Sequence, residues 1–353
     1  MIDGRDSRRN LGLKQGGKKL RKVLIRFFII LALVLLVVFI GARVYFRFPV
    51  MGYYVISDKE FKIPGISQGL VPQGFDYLES NGTFFVGGYR SNGGASAIYK
   101  VEQRTKRVTG FAYLADSEGN YLNVHVGGIA LHDRFMFVTG DDANILVFNA
   151  LDFINAGEGN TAKLLGKIST KFGDDELIPA WIHFTNDRMI VGEFYREPNY
   201  KTPDTHIFKG SSGDENHAIA LCYKLTGSPD ANFGIETQPS EVYSLPGLVQ
   251  GLAVHEGKIW ISQSWGTSKS TIACYDLSKA GLSTTMKTGD LELPVYFLDR
   301  SSLVTYIYAP PMSEEIVIAN GRLYVMNESA SNKYFFGKLT GGNWCYSTNV
   351  NSI

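Results

Sequence analysis

Five stretches of this chain carry one pattern, and that repetition limits the fold more than any other feature of the sequence. "VPQGFDYLESNGTFFVGGYRSNGGASAIYKV" covers 71–101, "HVGGIALHDRFMFVTGDDANILVFNAL" covers 125–151, and "IPAWIHFTNDRMIVGEF" covers 178–194. "LVQGLAVHEGKIWISQSWGTSKSTIACYDL" covers 248–277, and "MSEEIVIANGRLYVMNESASNKYFFGKL" covers 312–339. Each reads as strand, tight turn, strand and polar loop, with a third strand after the loop. The first turns ("SNG", "HDR", "TND", "HEG" and "ANG") have hairpin chemistry. From the start of the first strand to the last apolar residue of the second, the separation is 11 residues in four copies. Those pairs are Gly127 to Val138, Ala180 to Val191, Gln250 to Ile261 and Glu314 to Val325, while Gln73 to Val86 spans 13 with a longer turn. Successive copies lie 52, 53, 70 and 64 residues apart, and the two long intervals hold insertions at 195–217 and about 278–305.

A period of about 40–50 residues with three or four strands is the signature of β-propeller blades. The expected fold is therefore an all-β propeller with five blades, or six if 278–311 hides a divergent copy. "VTGFAYLA", "KLLGKIS", "SEVYSLPG" and "LELPVYFL" fit fourth strands, and "NWCYST" at 343–348 is a weak candidate for the fifth copy. Residues 53–63, "YYVISDKEFKI", read as a strand that pairs into the last blade and closes the ring, removing free sheet edges.

Ahead of the repeats, "FFIILALVLLVVFIGA" at 27–42 carries no charge, and with its flanks it approaches the roughly 20 residues a bilayer requires. Nine Lys or Arg lie between Arg5 and Arg26. The positive-inside rule then puts the N-terminus in the cytoplasm and the rest of the chain outside. The expectation is a single-pass cell-membrane protein with a disordered basic cytoplasmic tail (1–22), a transmembrane anchor (23–47) and an extracytoplasmic propeller (48–353). A cleaved signal peptide is the competing reading, against which the apolar run is long. The formal net charge of +1 conceals this asymmetry: residues 51–353 hold 24 basic and 32 acidic residues. Such a domain lacks the clustered cations that nucleic acid demands. Three cysteines, Cys222, Cys274 and Cys345, leave at least one thiol unpaired.

In a propeller the starts of the first strands and the ends of the second strands gather at one funnel mouth, because the two strands are antiparallel neighbours. First-strand starts supply Gln73, His125, Trp181, Gln250, Glu314 and Glu315; second-strand ends supply Tyr89, Arg90, Asp141, Asp142, Glu193, Gln263, Trp265, Asn327 and Glu328. From these, the candidate ligand-binding set is Gln73, Tyr89, Arg90, His125, Asp141, Glu193, Gln250, Gln263, Trp265, Glu314 and Glu328. Carboxylates from separate strands suit a hard cation such as calcium, or an acid/base pair, and the aromatic residues suit stacking on a ring. No residue is assigned a catalytic or metal-binding role. His183, inside a first strand, reads as a satisfied core histidine, and His132 and His255 as solvated turn residues. The insertion 195–217 leaves a second-strand end and should lie on the funnel face, as a lid or a partner-binding loop would.

The repeats "VPQGFDY", "HVGGIAL", "VQGLAVHEGKIWIS" and "ANGRLYVMNES" resemble the extracytoplasmic β-propellers of the YVTN, NHL and SMP-30-like kind, over about 53–340. The likeness lies in periodicity and small glycine signatures, which speak for architecture. Some five-bladed relatives are calcium-dependent nucleotidases or glycan hydrolases, but their carboxylate motifs are not matched here, so no role is carried over. Three functions fit the sequence: binding of a small-molecule, glycan or protein ligand at the funnel, a surface hydrolase using the funnel carboxylates with or without calcium, or a structural module of the cell envelope.

Overall fold

The computed structural model describes residues 5–353, and the chain divides after Phe48 into two units. The first unit is a single helix, Arg5–Arg47, uncharged from Phe27 to Ala42 and long and apolar enough to cross a membrane. Residues expected as a disordered tail are helical from Arg5 onward, and residues 1–4 lie outside the described residues.

The second unit, residues 49–353, is a five-bladed propeller. Blade 1 comprises Leu70–Leu78, Thr83–Arg90, Ala97–Glu102 and Arg107–Ala115. Blade 2 comprises Ile129–His132, Phe135–Thr139, Asn144–Asn149 and Glu158–Ser169. Blade 3 is Trp181–Phe184, Arg188–Gly192, Ala218–Lys224 and Glu241–Leu245. Blade 4 is Val249–His255, Lys258–Gln263, Ser270–Asp276 and Leu303–Ala309. Blade 5 takes Ser313–Ala319, Arg322–Asn327 and Trp344–Asn349 from the end of the chain and Ser57–Lys62 from its start. Ring closure is therefore as expected, with Ser57 opposite Thr348 and Lys59 opposite Tyr346. Only 57–62 is strand, however. Met51–Ile56 is a short helix, because Tyr53 and Tyr54 turn inward to stack edge-on against Tyr346 at 5.9 and 5.4 Å.

The stretch 278–311 is not a sixth blade. Leu282–Thr288 and Leu291–Phe297 form a hairpin that pairs in parallel with the outer strand of blade 3, with Val242 opposite Val295. "LELPVYFL" thus caps blade 3, and the fourth strand of blade 4 is Leu303–Ala309. The "NWCYST" stretch is the third strand of blade 5, and the fourth is supplied by the start of the chain. The long outer strand of blade 2 pairs in parallel with blade 1 over Ala112–Ala115, so that two outer edges cover each other.

Five hydrophobic clusters fill the five seams between blades. Phe85, Ile98, Ile129 and Met136 join blades 1 and 2, and Phe137, Ile182, Met189 and Leu221 join blades 2 and 3. Ile190, Leu252 and Ile259 join blades 3 and 4, Trp260, Ile316 and Leu323 join 4 and 5, and Phe61, Phe75, Phe84 and Tyr324 close the ring. Cys222, Cys274 and Cys345 are buried free thiols within these seams.

Candidate functional site

An inner strand offers one edge to its neighbour and leaves the other facing the axis, where its N–H groups still require acceptors. Glu315 supplies them. Fully buried at 1% exposure, its carboxylate accepts from the N–H of Phe75 at 2.5 Å, Ile129 at 3.0 Å and Ile182 at 3.3 Å, tying blade 5 to blades 1, 2 and 3. This explains two of the glycines in the repeat. A Cβ on Gly128 would sit 2.9 Å from Glu315 Oε1 and 2.7 Å from the Trp181 backbone, and one on Gly251 would sit 2.5 Å from the Glu315 Cα. Farther along the strands, Asp76 accepts from the Leu131 N–H at 2.6 Å, and His183 Nε2 accepts from the Val254 N–H at 3.2 Å. His183 is thus a core histidine, and burial draws its pKa down to about 4. His132 stacks on Phe184 at 4.6 Å instead of standing free in its turn.

Immediately before the glycine level the strands bulge. Gln73 is extra between Pro72 and Gly74, Gln250 between Val249 and Gly251, and the Glu314–Glu315 pair faces one residue, Met326. A bulge turns a side chain out of the regular alternation. All three sites aim into a cavity of about 710 Å³ that every blade lines. Of the candidate set, Gln73, His125, Asp141, Glu193, Gln250, Trp265, Glu314 and Glu328 border this cavity. Tyr89 adjoins it by stacking on His125 at 4.8 Å.

Arg90 and Gln263 lie elsewhere. Side chains alternate along a strand, so with Tyr89 toward the funnel Arg90 points away. It donates to the Gln68 carbonyl and to Tyr99 Oη at 2.9 and 2.8 Å. Gln263 donates to the Gly247 carbonyl at 2.8 Å. Trp181 and Asn327 are buried, the latter donating to the Pro310 and Pro311 carbonyls, and Asp142 is exposed beside Lys167.

The floor is a polar network. Glu328 accepts from Tyr334 Oη at 2.6 Å and from Gln73 Nε2 at 3.3 Å, and Lys333 Nζ donates to Tyr89 Oη at 2.5 Å. Glu314, 1% exposed, has one carboxylate oxygen with no hydrogen-bond partner, and Gln73 Oε1 has none either. Burial, reinforced by the charge of Glu328, holds the Glu314 carboxyl well above the usual range. Glu328 is also raised by burial, against the Tyr334 hydrogen bond and the Lys333 charge. Burial lowers His125, which favours the neutral ring, and its backbone N–H donates to Asp141 at 3.2 Å.

One wall is aromatic. Phe194, Tyr200 and Trp265 pack with centroids 5.4–6.1 Å apart, and Arg196 lies 4.0 Å over the Trp265 ring. The insertion 195–217 does lie on this face, contributing Asn199 through Pro203 to the lining. It is fastened by His206, whose Nδ1 meets both Glu193 oxygens at 2.9 and 3.0 Å and whose Nε2 lies 3.4 Å from Asp175. Burial acts to lower the His206 pKa, but the two carboxylates outweigh it and the net shift is upward. Glu193 is therefore occupied as an anchor and also accepts from the Ile219 N–H at 2.9 Å.

The four funnel carboxylates do not gather around one point. Asp141 takes the His125 N–H, Glu193 takes His206, and Lys333 stands beside Glu328. Among the described residues no three His, Cys, Asp or Glu side chains are arranged to hold a metal ion. Sequence reasoning missed Lys333, Tyr334, Tyr200 and His206. The first two stand in "SASNKYFF", whose apolar end imitates a strand but which has none.

No family model and no curated protein matches the chain. The YVTN, NHL or SMP-30 repeat family is thus not established, although solved structures of propeller type are similar. The glutaminyl cyclase of Myxococcus xanthus aligns at 11% identity and TM-score 0.42, over 83% of this chain and 94% of that one. The exo-β-1,3-galactanase of Phanerochaete chrysosporium aligns at 11% and 0.44, over 82% and 63%. BamB of Moraxella catarrhalis aligns at 9% and 0.31, over 78% and 84%. At such scores these likenesses carry no argument about the site.

Proposed function

We propose that this is a membrane-anchored propeller that binds a small ligand in the funnel cavity, on the extracytoplasmic side. One observation carries the reading: residues of all five blades converge on one cavity of about 710 Å³, within the roughly 300–1,000 Å³ of small-ligand sites. It has an aromatic wall, and buried acceptors on its floor lack a donor. The nine cationic residues between Arg5 and Arg26 support an N-terminus in the cytoplasm. A protease added outside intact cells should then degrade the propeller, and protection of the propeller would reverse the orientation.

The binding test uses Trp265. It lines the cavity at 37% exposure, whereas Trp181 and Trp260 are buried and Trp344 is half-buried in blade 5, under Lys59 and Lys62 and outside the cavity lining. The full-length protein in detergent, screened against amines, sugars, nucleotides and aromatic acids, should show at least one class that changes tryptophan emission. The same class should raise the Tm, because it binds the native state. Trp265→Phe should abolish the emission change. If no class alters emission or Tm, the small-ligand reading is wrong. A hydrolase is the second reading, favoured by two neighbouring carboxyls that burial raises together. It requires turnover that Glu314→Gln or Glu328→Gln removes.

A further inference from the structure

The cavity floor is one-sided in its hydrogen bonding. Each of its donor atoms already has a partner: Gln73 Nε2 and Tyr334 Oη go to Glu328, and Lys333 Nζ goes to Tyr89. What stays unpartnered is acceptor only, one oxygen of Glu314 and Oε1 of Gln73, both more than nine-tenths buried. The Gln73 amide is oriented by its own bond, since an ionised carboxylate only accepts, so its nitrogen faces Glu328 and its oxygen is left over. Acceptors in this state call for a ligand that brings several N–H or O–H donors. A buried carboxylate without a cation partner adds a demand for positive charge. Lys333 meets that demand only in part: its charge bears on Glu314, but its hydrogen bond goes to Tyr89 and it stands beside Glu328. Beside the floor the wall is aromatic: Trp265, one face of which carries Arg196 at 4.0 Å, and Tyr200 meet at an interplanar angle of 65°, and an apolar or ring-shaped body can lie against them.

Building on the small-ligand reading, we propose that the ligand is a small organic cation. Its head is an ammonium or amidinium group seated between Glu314 and Gln73, and its apolar or aromatic body lies against Trp265 and Tyr200. Sugars and nucleotides supply hydroxyl donors but no positive charge, and an anionic ligand would meet Glu314 and Glu328 directly. The titratable groups whose charges bear on Glu314 are Glu328, Glu315, Lys333, Tyr89 and Tyr334. Burial and Glu328 raise the carboxyl, so the empty cavity favours a proton there and the cation displaces it on binding.

Three probes of one size separate charge from shape: benzamidinium, neutral benzamide and benzoate. With the full-length protein in detergent at pH 7.5, benzamidinium should change Trp265 emission at a concentration about tenfold or more below benzamide, and benzoate should be weakest. Its affinity should rise with pH as Glu314 loses its proton, and the benzamide affinity should stay flat. Glu314→Gln keeps the shape and removes the charge. It should abolish the preference for the cation and the pH dependence, yet leave benzamide binding in place. Gln73→Leu, outside the carboxylate pair, should weaken benzamidinium severalfold and serves if the Glu314 variant misfolds. Equal or tighter binding of benzamide or benzoate, or an unaltered preference in Glu314→Gln, overturns the cation assignment and leaves the cavity a neutral- or anionic-ligand site. If none of the three probes changes Trp265 emission, the cation assignment fails. If the wider screen is silent as well, the small-ligand reading fails with it.

Discussion

Glu314 and Glu315 are consecutive, come from one bulge, are each 1% exposed, and have carboxyls that burial raises well above the usual range. They differ in their partners. Glu315 accepts three backbone N–H groups from three other blades, while Glu314 keeps an oxygen with none. Burial and a raised pKa therefore do not tell a structural carboxylate from one that awaits a ligand. The count of satisfied acceptors does, since a buried polar group without a partner costs about as much as a lost hydrogen bond.

The sharpest break of this comparison is truncation. Glu315→Ala strips three buried N–H groups of their acceptor at the centre of the ring, at about 1–3 kcal/mol for each group left unmade. Folding should be lost or the urea midpoint should drop severely. Glu314→Gln replaces a buried carboxyl that keeps an oxygen without a partner and should leave the midpoint unchanged or raise it. Equal loss in both variants would mean that Glu314 is structural too.

Glu193 sharpens the contrast from a third side. It borders the same cavity but is fully engaged by His206 and the Ile219 N–H. His206→Ala leaves the buried Glu193 carboxylate without the ring that meets both its oxygens and removes the neighbour of Asp175, a loss of about 1–3 kcal/mol for a buried group left unpaired. Because His206 fastens the insertion, much of that loss should appear as local opening. Trypsin should cut after Lys201, already 62% exposed, faster than in the wild type. Unchanged cleavage would mean that other contacts hold the loop.

What the sequence could disclose follows the same division. Gln73, Gln250 and Glu314 occupy one position of the repeat, so alignment of the copies was enough to bring them to one mouth. Ring closure was legible because a strand without a partner at one end of the chain matched a missing strand at the other. Arg90 was misplaced because a strand end leaves the side-chain phase open by one residue, and one residue reverses the face. His206, Tyr200, Lys333 and Tyr334 stand in irregular segments, where no period predicts direction. The hairpin Leu282–Phe297 was hidden for another reason: a parallel pairing to a blade more than 35 residues upstream leaves no local mark.

The smallest expected effect concerns two staples that do one job with opposite titration. Asp76 ties blade 1 to the Leu131 N–H of blade 2, and His183 ties blade 3 to the Val254 N–H of blade 4. Burial raises the Asp76 carboxyl to about 7, so between about pH 4 and 7 the folded state holds a proton that the unfolded chain has released. Stability from this group falls as pH rises through that window. His183 is lowered to about 4, so below the ordinary histidine value near 6.5 the unfolded chain takes up a proton that the folded state refuses. Stability from this group falls as pH drops from about 6.5 toward 4. Glu314, Glu315 and Glu328 are raised as well and add to the wild-type profile, so the two staples are read as differences from it. In urea midpoints between about pH 4.5 and 7.5, Asp76→Asn should tilt the profile toward stability rising with pH, and His183→Gln should tilt it toward stability falling with pH. If both variants tilt the profile in the same direction, the two groups do not titrate as opposed staples.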